Sequence, residues 1–208
     1  MAQRFQVHPE HPHLRPLRQA AQLIEHGGVA AVPTDSCYAL ACHLDDREAA
    51  DRLRRIRSID QRHHLTLMCR DLAEIAAYAK VDNAQYRMLR QATPGPYTFI
   101  FEATREIPRR LSHPSRKTIG IRIPAHPVLM ALLDVLGQAL ISTTLMLPGD
   151  ELPLNDPDEI RQRLEHDIDL VIDAGACGIE PTTVVDLSGR DAVVVRQGCG
   201  PLEVLGLG

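Results

Sequence analysis

Val29-Ala30-Ala31-Val32-Pro33-Thr34-Asp35-Ser36-Cys37-Tyr38-Ala39-Leu40-Ala41-Cys42-His43 carries the pattern from which the fold is read: an apolar run, a polar turn and a second apolar run. Short apolar runs bounded by turn formers are strand-length segments. Val29 to Pro33 and Tyr38 to His43 therefore read as strands around the turn Thr34-Asp35-Ser36. Upstream, Leu17 to His26 has helical spacing and stops at Gly27-Gly28, since glycine tolerates the left-handed turn that closes a helix. Downstream, Asp45 or Asp46 caps a helix reaching Arg57, because a short carboxylate accepts the backbone N–H groups that a helix start leaves unpaired.

The same reasoning extends along the chain. Asp71 with Glu74 predicts a capping box and a helix to about Ala79, and a further helix follows Asp82. Pro127 suits a first helical turn with Gly137 closing that helix, and Asp156-Pro157-Asp158-Glu159 starts another. Leu65 to Cys69, Tyr97 to Glu102, Thr118 to Ile123 and Ala139 to Met146 read as strands. So do Asp169 to Asp173, Thr183 to Leu187 and Ala192 to Arg196. Strands interleaved with helices define the fold class as α/β, a mixed sheet covered by helices. No repeat, low-complexity tract or linker divides the 208 residues, so a single domain spanning 1–208 is expected.

With 44% hydrophobic and 24% charged residues the chain can fill a core, which argues against disorder. The apolar runs are too short to cross a bilayer, and the start lacks an apolar signal core, so a cytoplasmic protein is expected. The five cysteines are odd in number and form no C-x-x-C pair. Reduced thiols inside apolar strands account for them better than disulfides or a zinc ribbon.

Charge is unevenly spread. Arg47 to Arg70 holds seven arginines against three acids, and Arg105 to Arg122 holds six basic residues against one acid. Asp150 to Asp173 holds nine acids against two arginines. Basic blocks on a mildly acidic chain point either to a localised anion site or to surfaces neutralised by partners across the fold.

Polar clusters fall at strand ends and turns, where α/β sheets place their ligand crevices. Pro33-Thr34-Asp35-Ser36 offers hydroxyls and a carboxylate, though these residues also favour plain turns. Arg54-Arg55-Ile56-Arg57 ends a helix; arginine grips phosphate with a planar fork, but cations also suit a helix C-terminus. Arg62-His63-His64 follows; adjacent residues entering a strand face opposite sides, which makes a shared metal improbable. Arg122, between Ile121 and Ile123, points to the opposite sheet face from them and needs an anionic partner. Arg196 after Val193-Val194-Val195 repeats that pattern. Ser142-Thr143-Thr144 and Thr182-Thr183 add hydroxyl groups beside strands. The phosphate-loop, dinucleotide and hydrolase motifs are missing, and 3% aromatics with no Trp supply few stacking platforms for nucleic-acid bases.

In order, Pro33-Thr34-Asp35-Ser36-Cys37-Tyr38-Ala39-Leu40, Arg55-Ile56-Arg57, Pro94-Gly95-Pro96-Tyr97-Thr98, Gly120-Ile121-Arg122-Ile123-Pro124, Ser142-Thr143-Thr144 and Thr182-Thr183-Val184-Val185-Asp186 resemble the motif series of the YciO/YrdC family. The likeness runs from about residue 27 to 198. Thr66-Leu67-Met68-Cys69-Arg70-Asp71-Leu72 looks most like the YciO branch. The last motif lies close to Gly208, so no appended second domain is expected.

The resemblance implies a YrdC-like fold, a twisted mixed β-sheet flanked by helices with a positively charged concave cleft. It implies a nucleotide-binding protein similar to threonylcarbamoyl-adenylate synthases. Such a nucleotidyltransferase acts on ATP, L-threonine and bicarbonate with Mg2+ in tRNA modification; a hydrolase of the threonylcarbamoyl-AMP product is the related reading. Binding of double-stranded RNA without synthase activity is the alternative that the family resemblance also carries. By position, Thr34 and Ser36 would meet the threonine substrate, and Arg55 and Arg57 match a lysine and an arginine at the nucleotide phosphates. Arg122 and Arg196 match cleft arginines, and Thr143, Thr144 and Thr182 match hydroxyl positions near the nucleotide. No residue of the chain is assigned a catalytic role, and magnesium would enter with ATP. Two departures stand at the nucleotide end: Arg55 replaces the lysine, and Met146 replaces an asparagine.

Overall fold

The computed structural model describes residues 1–207. Its strands are β1 (Gln3–Gln6), β2 (Ala30–Val32), β3 (Ala39–His43), β4 (Thr66–Met68), β5 (Tyr97–Glu102), β6 (Thr118–Arg122), β7 (Leu140–Thr144), β8 (Leu170–Asp173), β9 (Thr183–Asp186) and β10 (Val193–Arg196). The helices are α1 (Leu14–Glu25), α2 (Arg47–Arg57), α3 (Leu72–Tyr78), α4 (Asn83–Ala92), α5 (Pro127–Leu136) and α6 (Pro157–Leu164). All ten strands form one mixed sheet in the order β1-β8-β2-β3-β7-β4-β6-β5-β9-β10. None of the helices among the described residues is long and apolar enough to cross a membrane.

The helix starts follow from their caps. The Asp46 carboxylate accepts Ala49 N–H at 2.8 Å, and Asp156 accepts Asp158 and Glu159 N–H. A complete capping box sits at Asp82, whose N–H donates back to Gln85 Oε1 at 2.9 Å. The box expected at Asp71 is only half formed. Asp71 accepts Glu74 N–H, but the Glu74 carboxylate turns to the backbone N–H and guanidinium of Arg70, a charged donor that outcompetes a neutral amide. Gly137 ends α5 at φ +69, the conformation for which glycine is suited.

Two differences from the sequence expectation lie near the N-terminus, and the second comes from strand pairing. The α1 helix begins three residues earlier than its apolar spacing implied. Residues Gln3–Gln6 show no apolar alternation, yet they form β1 by pairing in parallel with β8, Gln3 opposite Leu170. An edge strand takes its order from the ladder it joins rather than from its own propensity.

Each face of the sheet has its own core. On one face α1 and α5 pack Leu17, Ile24, Leu129, Leu132 and Leu133 onto Ala30, Val32, Met68, Leu140 and Ile172. On the other, α2, α3, α4 and α6 pack Leu53, Ile75, Leu89 and Ile160 onto Leu40, Leu67, Phe99 and Ile121. Fully burying each such side chain contributes about 1.5–3 kcal/mol, so both layers are firmly held. The α1/α5 layer covers the β8 to β3 part of its face and the Leu140 and Met68 ends of β7 and β4. Beyond it that face is open.

Candidate functional site

The open face forms a cleft of about 510 Å3, within the range of small-molecule sites. Its floor is set by strand register. Ser142 lies opposite Thr66, Thr66 opposite Gly120, and Gly120 opposite Ile100, so one row of side chains crosses four strands. Gly120 keeps the floor low. A Cβ there would meet Thr66 Oγ1 at 3.2 Å, Leu65 O at 3.3 Å and Thr98 Cγ2 at 3.3 Å. Ser142 Oγ is anchored by donating to Thr66 O at 3.0 Å.

At one end the turn after β2 meets the end of β6. Arg122 projects from β6 on the side away from Ile121, as its alternation implied, and is 6% exposed. Its guanidinium pairs with the Asp35 carboxylate, and Nη1 donates to Ser36 Oγ at 3.3 Å. Arg122 Nε and Asp35 Oδ2 are both buried without a hydrogen-bond partner. Behind them the Thr34 hydroxyl is used up inside the turn, donating to Cys37 O at 2.7 Å and accepting Ser36 N–H at 3.1 Å.

At the other wall a β-bulge decides where a side chain points. Val194 pairs with Val185, but Arg196, not Val195, pairs with Val184. The extra residue undoes simple alternation and lets both Val195 and Arg196 line the cleft. The Arg196 guanidinium donates to Thr182 O at 2.9 Å, and Thr182 Oγ1 lies 2.9 Å from Thr98 Oγ1.

A third wall is the loop between α2 and β4, which contributes Arg62, His63 and His64. Burial and the nearby Arg57 and Arg54 hold His63 below the ordinary histidine pKa. Burial, with His113 stacked at 5.0 Å, does the same to His64, whose Nε2 is 2.8 Å from Thr118 Oγ1. Both rings are thus biased toward the neutral form. The two adjacent histidines border the same cleft, contrary to the strand-alternation argument, because β4 begins only at Thr66.

Of the residues singled out in the sequence, Ser36, Arg122, Thr143, Thr144, Thr182 and Arg196 line this cavity. Arg57 is half-buried, with its Nε enclosed and unpartnered. Burial lowers its pKa, and the Cys37 thiol, itself part of the cleft lining, pulls the other way. Thr34 sits one layer behind. Arg55 does not reach the cleft: it is exposed and borders a separate groove with Arg52, Leu147 and His166. The reason is helical geometry, since residues two apart on a helix do not share a face. Thr66, Thr98 and Ser142 also line the cleft; the sequence places all three in its motif stretches without giving them a ligand role. Alternation along β7 was the available signal, because it groups Ser142 with Thr144 and sets Thr143 apart.

The lining includes three arginines and no carboxylate. Elsewhere part of the basic blocks is engaged, some of it in exposed surface pairs. Arg47, Arg52, Arg70 and Arg116 pair with Asp51, Asp169, Glu74 and Asp186, and Arg110 donates to the Leu44 and Asp45 carbonyls. No group of three or more histidine, cysteine or acidic side chains able to hold a metal occurs among the described residues.

Comparison with known proteins places this geometry in context. A family model for Sua5, YciO and YrdC, described as telomere recombination, matches residues 22–198. The uncharacterized protein YciO of Escherichia coli (strain K12) is 48% identical over 203 residues, 98% of each chain. Its crystal structure superposes with a TM-score of 0.95 over 99% of this chain and 100% of that one. A threonylcarbamoyl-AMP synthase of Halorhodospira halophila is 32% identical over 190 residues, 89% of this chain and 97% of that protein. Sua5 of P. abyssi, in a crystal structure complexed with L-threonine, matches with a TM-score of 0.88 at 24% identity. That match covers 96% of this chain and 58% of the other and shows a shared fold.

Proposed function

The chain belongs to the Sua5/YciO/YrdC family, and from that premise we propose that it binds and acts on an acyl-adenylate of the threonylcarbamoyl-AMP class, making it from ATP, threonine and bicarbonate or cleaving it. The observation that carries this reading is the lining of the cleft: arginines from the α2–β4 loop, β6 and β10 border a hydroxyl-rich floor, and the one carboxylate in contact with them, Asp35, is paired with Arg122 outside the lining. Arginine forks match phosphate oxygens, and fixed cations around a phosphoryl group supply electrostatic stabilisation without reorganisation. Arg122 Nε, buried without an acceptor on a residue that lines the cleft, is a donor that an anionic ligand would satisfy. The floor hydroxyls of Ser142, Thr66 and Thr98 offer donors and acceptors for ribose or the threonyl part.

The chain's own residues would bind, orient and exclude water. Guanidinium groups do not serve as bases at neutral pH, so in carbamate formation the substrate amine acts as its own nucleophile. The lining donors are guanidinium, imidazole and hydroxyl groups rather than a set of carboxylates. Magnesium, a hard cation that favours oxygen ligands, would therefore be held chiefly through the ATP phosphates.

A duplex RNA has less to support it: exposed basic residues such as Arg105 and Arg109 lie outside the cleft, and no arrangement of them among the described residues singles out a nucleic-acid track. Incubation with ATP, magnesium, bicarbonate and threonine, followed for pyrophosphate, tests synthesis; supplied threonylcarbamoyl-AMP, followed for AMP release, tests cleavage. Turnover in either assay is expected, weakened by Arg122→Ala. No turnover in both assays, with no thermal stabilisation by ATP or AMP, would overturn the reading.

A further inference from the structure

Arg54 contributes to no wall of the cleft, yet it is 7% exposed and differs from its neighbours on α2. Arg47 and Arg52 pair with carboxylates; the Arg54 guanidinium instead donates through Nη1 to two backbone carbonyls, Asp60 O at 2.7 Å and His63 O at 3.4 Å. Its Nη2 is buried without a partner. Burial lowers its pKa, opposed by Asp51 and Asp60. A buried cation held only by peptide oxygens is costly unless those oxygens need fixing.

Both carbonyls belong to the segment 58–64, which delivers Arg62, His63 and His64 to the cleft. That segment leaves α2 through Ser58 in the left-handed region at φ 50, a conformation usually taken by glycine. Ile59 N–H donates back to Arg54 O at 3.0 Å, so Arg54 holds the segment through backbone and side chain together. From the solvent side, Asp60 Oδ1 accepts Arg62 N–H at 2.8 Å and His63 N–H at 3.2 Å.

We propose that Arg54 is a positioning residue, a buried clasp that fixes the lip at residues 58–64 so that Arg62 and His63 stand in place before a ligand arrives. Its effect on ligand affinity rests on the adenylate reading above; its effect on the lip does not. The clasp acts by pre-organisation, since a lip already ordered costs less entropy on binding.

Hydrogen exchange and calorimetry with AMP separate the two parts. Arg54→Met is expected to speed amide exchange across residues 59–64 by about tenfold while the sheet stays protected. It is also expected to weaken AMP binding by about tenfold, the scale of one charged hydrogen bond. Arg54→Lys, whose ammonium cannot reproduce the fork, should restore affinity only in part. Asp60→Ala should loosen the same lip, and Arg47→Ala, far out on α2, should change neither measurement. Wild-type exchange in the lip of Arg54→Met overturns the proposal. If that variant fails to fold, wild-type exchange in Arg54→Lys overturns it instead. Faster lip exchange in a chain whose wild type binds no AMP keeps the clasp and removes the adenylate reading.

Discussion

Along β7, the side chains on one face run Leu140, Ser142, Thr144, and the antiparallel β4 sets Met68 against Leu140 and Thr66 against Ser142. Leu140 and Met68 lie in the core beneath α1 and α5, whereas Ser142 and Thr66 line the open cleft. Two halves of one face thus share backbone, twist and strands, and differ only in polarity from one pair of residues to the next. The apolar half gains free energy when a helix covers it; the hydroxyl half gains almost none, so no helix settles there. What remains uncovered becomes a surface for a ligand, with Gly120 keeping it deep.

This contrast is best broken at its charged edge. Arg122→Ala leaves the nearly buried Asp35 carboxylate without its partner, so we expect a loss of about 4 kcal/mol in denaturant unfolding together with weaker AMP binding. Adding Asp35→Ala should recover part of the stability but not the binding. Binding at wild-type strength in Arg122→Ala would place the ligand elsewhere. Next in size, Leu132→Ala beneath the helices should cost about 3 kcal/mol through the cavity it leaves, with AMP affinity unchanged once the protein is folded. Equal affinity losses in Leu132→Ala and Arg122→Ala would show that the two halves are not separable.

A smaller effect is expected at the floor. Gly120→Ala pushes a methyl to within 3.2 Å of Thr66 Oγ1 and should cost about 1 kcal/mol while shallowing the cleft. Its signature is an affinity loss out of proportion to its stability loss. The smallest concerns pH. Burial holds His63, His64 and His126 below their unfolded pKa of about 6.5, so the unfolded chain binds more protons just below that pH. Their neutral forms favour the fold above pH ~6.5, and that contribution is lost as pH falls from there toward the lower folded values. Urea midpoints between pH 7.5 and 5.5 should therefore decline, and His64→Gln should flatten part of the slope; an unchanged slope would remove His64 from this account.

The fold was legible because its signals are local. Of the two candidates Asp45 and Asp46 it is Asp46 that caps α2, the helix expected after Asp82 is there, Asp156 starts α6 as read, and Gly137 ends α5. The apolar runs fall on strands, including the valine run on the edge strand β10, while β1, held by pairing alone, was not visible. The site was legible in part. Arg122 could be placed from its apolar neighbours, but Arg55 was grouped with Arg57 by adjacency when helical rotation separates them. Thr143 and Thr144 were assigned while Ser142, which shares Thr144's face and also lines the cleft, was left without a role. Asp35 passed as a turn residue because the Arg122 opposite it is 87 positions away. Such pairings are set by strand order, which no window of sequence contains.

The irregular residue in β10 has a second effect at the rim of the molecule. This is the outermost strand, and a straight run of valines there would offer free peptide groups to any passing extended chain. By interrupting the ladder between Val194 and Arg196, the bulge spoils that template. Removing Val195 would therefore be expected to keep Arg196 opposite Val184, on the cleft side, while leaving a regular edge more prone to aggregate.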